Sequence, residues 1–160
     1  MSMPAVGDPA PEIALSDETG TVHRLSDQRG RWIILYFYPE DDTPSCTIEA
    51  CDFRDRIETI HQRGANVWGV SPQGAASKRA FREKFQLPFT LLADLGHEAA
   101  DAYGSWVEKE KYGRTYWGTA RTTFLIGPDG RIARVWPKVK AVGHAEEVLA
   151  ALDALSAVAG

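Results

Sequence analysis

Hydrophobic and polar positions divide this chain into short segments of contrasting period. Trp32-Ile33-Ile34-Leu35-Tyr36-Phe37-Tyr38 is an unbroken apolar run, the pattern of a strand covered on both faces, and Pro39 ends it. From Pro44 to about Gln62 the apolar positions Ala50, Phe53, Ile57 and Ile60 recur at helical offsets, which predicts one helix. Val67-Trp68-Gly69-Val70 reads as a second buried strand. Residues 74–86, rich in Ala, Lys, Arg, Glu and Phe, read as a helix, and Phe89-Thr90-Leu91-Leu92 after Pro88 reads as a third strand. Strands alternating with helices predict βαβ units around a parallel sheet.

The flanks are simpler. Val6 to Pro11 carries a glycine and two prolines, and the apolar positions on either side of Asp17-Glu18-Thr19-Gly20 predict a short N-terminal hairpin closed by Thr21 to Leu25. Thr122 to Ile126 and Arg131 to Trp136 flank Gly127-Pro128-Asp129-Gly130 as a second hairpin. Ala145 to Val158 is a closing amphipathic helix with Val148, Leu149, Leu152 and Leu155 on its apolar side. With no repeat, linker or low-complexity tract, one α/β domain is expected over residues 1–160. Tyr103 to Gly118 mixes Trp106, Tyr112, Tyr116 and Trp117 with Lys109, Lys111 and Arg114. It is expected to be a loop, either a surface excursion whose rings pack onto the core or the wall of a binding site.

Composition narrows the function classes. A chain of 160 residues buries on the order of 70% of its unfolded surface, so it needs no metal or disulfide lattice, and its two cysteines are free for chemistry. The net charge of -4 comes from 18 Lys+Arg scattered among 22 Asp+Glu, against nucleic-acid and anionic-membrane partners. The run from Trp32 to Tyr38 is far short of the roughly 20 residues of a membrane span. Met1 to Asp8 lacks the features of a secretory signal, and the expected location is cytoplasmic.

The chemistry concentrates where the first long strand turns into a helix, Pro39-Glu40-Asp41-Asp42-Thr43-Pro44-Ser45-Cys46-Thr47-Ile48-Glu49-Ala50-Cys51. Thr43 is a good N-cap and Pro44 suits the first helical position. Cys46 then falls in the first turn, where unpaired N–H groups and the helix dipole favour a thiolate. It also heads the apolar face, four residues before Ala50, so it is expected to be sheltered. Shelter and the surrounding Glu40, Asp41, Asp42, Glu49 and Asp52 oppose ionisation, so a reactive Cys46 requires a cation from elsewhere. Arg54 and Arg56 point away by helical period; Arg121, opening a core strand, is better placed and would need a partner such as a thiolate or Glu49. Cys51 lies roughly 140° around and about 7.5 Å along an intact helix from Cys46. If the two bridge, the first turns must unwind, which predicts a folded and a locally unfolded state. Two independent buried cysteines remain an alternative. The C-x4-C spacing gives little support to a C-x-x-C dithiol or a zinc ribbon, and His23, His61, His97 and His144 show no metal-ligand spacing and no link to a Cys-His hydrolase.

Pro39 followed by Thr43-Pro44-Ser45-Cys46 resembles the P-x-x-x-T-x-x-C motif of peroxiredoxins, and Thr47 to Cys51 looks like the Q-type, or bacterioferritin comigratory protein, subgroup. The likeness runs over roughly residues 5–155. It takes in Gly7 to Pro11, Val70-Ser71-Pro72, Leu87 to Leu92, Arg121-x-Thr123-Phe124-Leu125-Ile126 and Gly143 to Glu147. Ser45 stands where many members have glycine, which bears on how readily the helix start unwinds, and Gly127 where an acidic residue often follows. The resemblance implies a thioredoxin-like fold, a central mixed sheet flanked by helices. It also implies reduction of hydrogen peroxide and organic hydroperoxides without metal, haem or flavin. It assigns Cys46 as the peroxidatic and Cys51 as the resolving cysteine, joined in turnover by a disulfide that thioredoxin or a similar dithiol reduces. Pro39 would shield the sulfur, Thr43 would offer its hydroxyl, Arg121 would stabilise the thiolate, and Glu49 would hold Arg121. The even charge distribution makes a monomer the expected state. A thiol-disulfide reductase and a thioredoxin-fold binding module with inert cysteines are the rival readings.

Overall fold

The computed structural model describes residues 3–159, so the expectations for Met1, Ser2 and Gly160 lie outside the described residues. The central sheet is built on β3 (Trp32–Phe37), whose continuous apolar sequence is explained by its position. It runs parallel to β4 (Ala65–Ser71) on one side and antiparallel to β8 (Thr122–Ile126) on the other. With β5 (Thr90–Ala93) and β9 (Ile132–Trp136) at the edges, the order is β5-β4-β3-β8-β9, a mixed five-stranded sheet. The expected N-terminal hairpin is β1 (Ala14–Ser16) and β2 (Val22–Arg24).

Alternate residues of β3, with Tyr38 just after it, feed two cores. Ile34, Tyr36 and Tyr38 pack beneath α1 (Pro44–Asp55), α2 (Ile57–Gln62), α3 (Ala75–Phe85) and α5 (His144–Ala159), with Cys46, Phe53, Ile60, Phe81 and Val148. Ile33, Leu35 and Phe37 face the other way, onto Ile13, Leu25, Tyr103 and the short α4 (Glu98–Ala102). Each such fully buried side chain contributes about 1.5–3 kcal/mol. Tyr36 packs closely against its parallel neighbour Gly69: a Cβ there would stand 2.9 Å from the Tyr36 ring. Glycine thus makes room for the ring, which stacks on Phe53 of α1 with centroids 5.0 Å apart and so braces the helix that carries both cysteines.

Two sequence expectations need correction. The single helix expected from Pro44 to Gln62 is two, because Arg56 leaves helical geometry (φ -110°, ψ 7°) and its N–H reaches the Phe53 carbonyl at 3.1 Å. This tightened turn re-aims α2 so that Ile60 is buried, while the apolar spacing continues through it undisturbed. The expected loop at 103–118 is largely a hairpin of β6 (Trp106–Lys111) and β7 (Arg114–Thr119), joined through Tyr112 and Gly113 at positive φ (53° and 74°). Nor do most of its rings pack onto the core. Tyr112 is 93%, Trp117 58% and Tyr116 46% exposed, and Trp106 stacks on His97 at 4.1 Å. Tyr116 and Trp117, consecutive in β7, stand on opposite faces of the hairpin, and Tyr112 lies at its turn.

Candidate active site

The loop after β3 delivers the chain to α1 at the carboxyl end of the sheet. Pro44 is the first helical residue, Thr43 has the extended backbone of an N-cap, and the first helical bond runs from the Thr47 N–H to the Thr43 carbonyl at 2.8 Å. The Thr43 hydroxyl departs from its expected capping role: it donates to the Glu40 carbonyl at 3.2 Å and caps no helix N–H. First-turn N–H groups therefore lack a side-chain acceptor beside Cys46. Cys46 itself is 1% exposed. Ser45 lies in regular helix, exposed, so the intact helix has no need of glycine there.

Arg121 closes the site from the position just before β8. Its Nη2 donates to the Cys46 Sγ at 3.2 Å and its Nη1 to Glu49 Oε1 at 2.7 Å, so one planar fork spans both α1 residues. The guanidinium thus sets a positive charge directly against the sulfur. Six expected site residues are thus distributed as follows. Cys46, Glu49 and Arg121 are in direct contact; Thr43 and the half-buried Pro39 lie on the loop leading into α1. Cys51 stands apart, partly exposed, in a shallow depression with Ile48, Asp52, Arg56 and Val142. Both thiols are free and α1 is unbroken between them.

Glu49 is almost fully buried, and only one of its oxygens is satisfied; Oε2 has no hydrogen-bond partner. Burial raises its pKa to about 7, against the opposing pull of Arg121. Between the ordinary 4.5 and about 7 the folded chain holds a proton that the unfolded chain has released. The sign follows: this group's stabilising contribution is full at low pH and is lost as pH rises through that window. Wild type is therefore expected to lose stability relative to Glu49→Gln between about pH 4.5 and about pH 7, by roughly 3 kcal/mol. Urea titrations of both proteins check it, and parallel pH profiles would show that Glu49 ionises normally in the fold.

Three groups near the site were not assigned to it from the sequence. Tyr36 presents a buried hydroxyl without a partner, pushed well above the ordinary phenol range by burial and by Glu49 and Cys46. Lys109 reaches back along the hairpin to donate to the Thr119 carbonyl at 2.5 Å, and feels both Arg121 and Cys46. Its alternation with Glu108 and Glu110 marks an inward-facing strand position. Lys78, fully buried on α3, falls on the stripe of Phe81 and Phe85, a signal visible in the helical spacing. Among the described residues no group of three or more His, Cys, Asp or Glu could hold a metal ion. No helix there is long and apolar enough to cross a membrane.

Comparison with known proteins converges on this site. The AhpC/TSA family matches residues 6–135. Peroxiredoxin Bcp of Bacillus subtilis is 44% identical over 151 residues, covering 94% of this chain and 96% of that one. Peroxiredoxin Bcp of Escherichia coli K12 is 39% identical over 143 residues, covering 89% and 92%. A ligand complex of the Xanthomonas campestris bacterioferritin comigratory protein, solved for insight into that protein's alkyl peroxide reduction, superposes with a TM-score of 0.86 at 38% identity, covering 90% of this chain and 92% of that one. The chain belongs to the AhpC/TSA family, among the peroxiredoxins of the Bcp or Q type, and is a thiol peroxidase.

Proposed function

We propose that Cys46 is the peroxidatic nucleophile and that it reduces hydrogen peroxide and organic hydroperoxides. The observation that carries this reading is the Arg121 fork, which places a guanidinium 3.2 Å from a sheltered sulfur and is itself anchored on Glu49. The thiolate attacks one peroxide oxygen in line with the O–O bond. That bond breaks, the sulfur gains an oxygen as sulfenic acid, and the departing oxygen leaves as water or an alcohol after taking a proton. Arg121 and the Cys46 N–H stabilise the charge that develops. Thr43, whose hydroxyl hydrogen is committed to the Glu40 carbonyl, presents its lone pairs to the peroxide O–H, and Pro39 limits water at the sulfur.

In the second stage the first turns of α1 unwind and the Cys51 thiol condenses with the sulfenic acid, expelling water and forming a disulfide. A dithiol protein such as thioredoxin then restores both thiols by exchange. The partial exposure of Cys51 supports its role as the sulfur that meets other proteins. A single domain, working as a monomer in the cytoplasm, completes the reading.

Intact mass and thiol counting test it. One equivalent of hydrogen peroxide is expected to remove two hydrogens and both thiols from wild type, and to add one oxygen to Cys51→Ser. Thioredoxin-coupled turnover by Cys51→Ser at the wild-type rate would show that another thiol resolves Cys46.

A further inference from the structure

Lys78 places an ammonium group where the buried stripe of α3 calls for an apolar side chain; it has no exposed surface at all. Its Nζ donates to Ser71 Oγ at 2.6 Å and lies 3.5 Å from both carboxylate oxygens of buried Asp41. Asp41 also accepts the Tyr38 hydroxyl at 2.5 Å and the Ser77 hydroxyl at 2.8 Å. Ser71, having accepted from Lys78, donates to Gln73 Oε1 at 2.8 Å. Gln73 then clasps the loop: its Nε2 donates to the Pro39 carbonyl at 3.1 Å, and its Oε1 accepts the Asp41 N–H at 3.1 Å. Two routes therefore run from Lys78 to the segment that leads into α1, one through the Asp41 side chain and one through Ser71 and Gln73.

Stability does not account for this arrangement. A buried ion pair loses several kilocalories of hydration, and a well-packed apolar pair of similar volume is often as stable or more so. What an apolar pair lacks is direction: it would not hold Pro39 and Asp41 at fixed angles. The tether also ends at Asp41, two residues short of Thr43, so it grips the approach to α1 and leaves the helix itself untied.

We propose that Lys78 is a positioning residue for the peroxide step, locking Pro39 to Asp41 so that Pro39 and Thr43 are correctly set beside the Cys46 sulfur. This rests on Cys46 being the peroxidatic cysteine. Lys78 touches neither sulfur nor substrate. Its effect is to keep the peroxide-binding edge of the site fixed while α1 winds and unwinds.

The test compares two reagents on one sulfur. In the Cys51→Ser background, Cys46 oxidation by hydrogen peroxide and its alkylation by iodoacetamide are timed separately. Alkylation needs only an accessible thiolate, whereas peroxide attack also needs the oriented groups around it. Lys78→Met is expected to slow the peroxide reaction roughly tenfold or more beyond any change in alkylation, because small misplacements of reacting groups are costly. Gln73→Ala keeps the buried pair and removes both clasps, so it is expected to show the same selective loss and decides the matter if Lys78→Met does not fold. Equal changes in both rates, or none, would overturn the positioning role. Rapid alkylation but no peroxide reaction in the background protein itself would overturn the assignment of Cys46, and this inference with it.

Discussion

Cys46→Ser protein is expected to consume no hydroperoxide above the rate of buffer. Sulfur and oxygen differ little in size, and the side chain is enclosed, so the helix, the Arg121–Glu49 pair and the Tyr36–Phe53 stack are expected to persist. What is lost is the nucleophile. A serine hydroxyl stays protonated at neutral pH beside the same guanidinium, and an alcohol has none of the thiolate's affinity for peroxide oxygen. Hydroperoxide disappearance, measured on protein whose circular dichroism matches wild type, reads the outcome. Turnover surviving in the serine protein would move the chemistry to Cys51 or out of the chain.

Arg121→Ala is expected to slow the peroxide step by about a hundredfold, since removing a donor aimed at developing charge costs on the order of 10²–10³ in rate. The residue makes two charge-assisted bonds, to Cys46 and Glu49, and alanine removes both. Glu49 is then buried alone, but its pKa already lies at about 7, so it takes up a proton rather than remaining a stranded charge. The fold is therefore expected to survive the change. Arg121→Lys keeps a cation but cannot span the two α1 residues with one planar fork, and an intermediate rate is expected. Second-order rate constants from stopped-flow oxidation compare the three proteins. A rate in Arg121→Ala within twofold of wild type would remove Arg121 from the peroxide step.

Much of this architecture was legible because burial and period coincide. The uninterrupted apolar run from Trp32 to Tyr38 required a strand with both faces covered, and its two sides do feed two separate cores. Proline after Thr43 and the apolar steps Cys46, Ala50 and Phe53 located the start of α1. The need for a distant cation followed from charge alone, because every nearby group but two arginines was acidic. Arg121 could be suggested from its place before a buried strand, but its bond to sulfur is a tertiary fact.

Other features were hidden for physical reasons. The hairpin at 106–119 turns through Tyr112-Gly113, and tyrosine at positive φ carries none of the turn signal that asparagine or aspartate would have given. The joint at Arg56 was invisible because a single tightened turn leaves the apolar spacing intact. Lys78 was not set apart from the other residues of the helix read over 74–86. Its partner Asp41 lies 37 residues away along the chain, and the βαβ crossover brings it to Lys78 beside Ser71.

The joint at Arg56 also bears on how the catalytic cycle is insulated from the rest of the molecule. Had residues 44–62 formed one rod, unwinding its head would have twisted its tail and dragged Ile60 across the sheet. Because the rod is cut, unwinding of the head of α1 in the proposed cycle is expected to leave α2 seated on β4. The proposed cycle is therefore expected to move one short helix within an otherwise fixed frame.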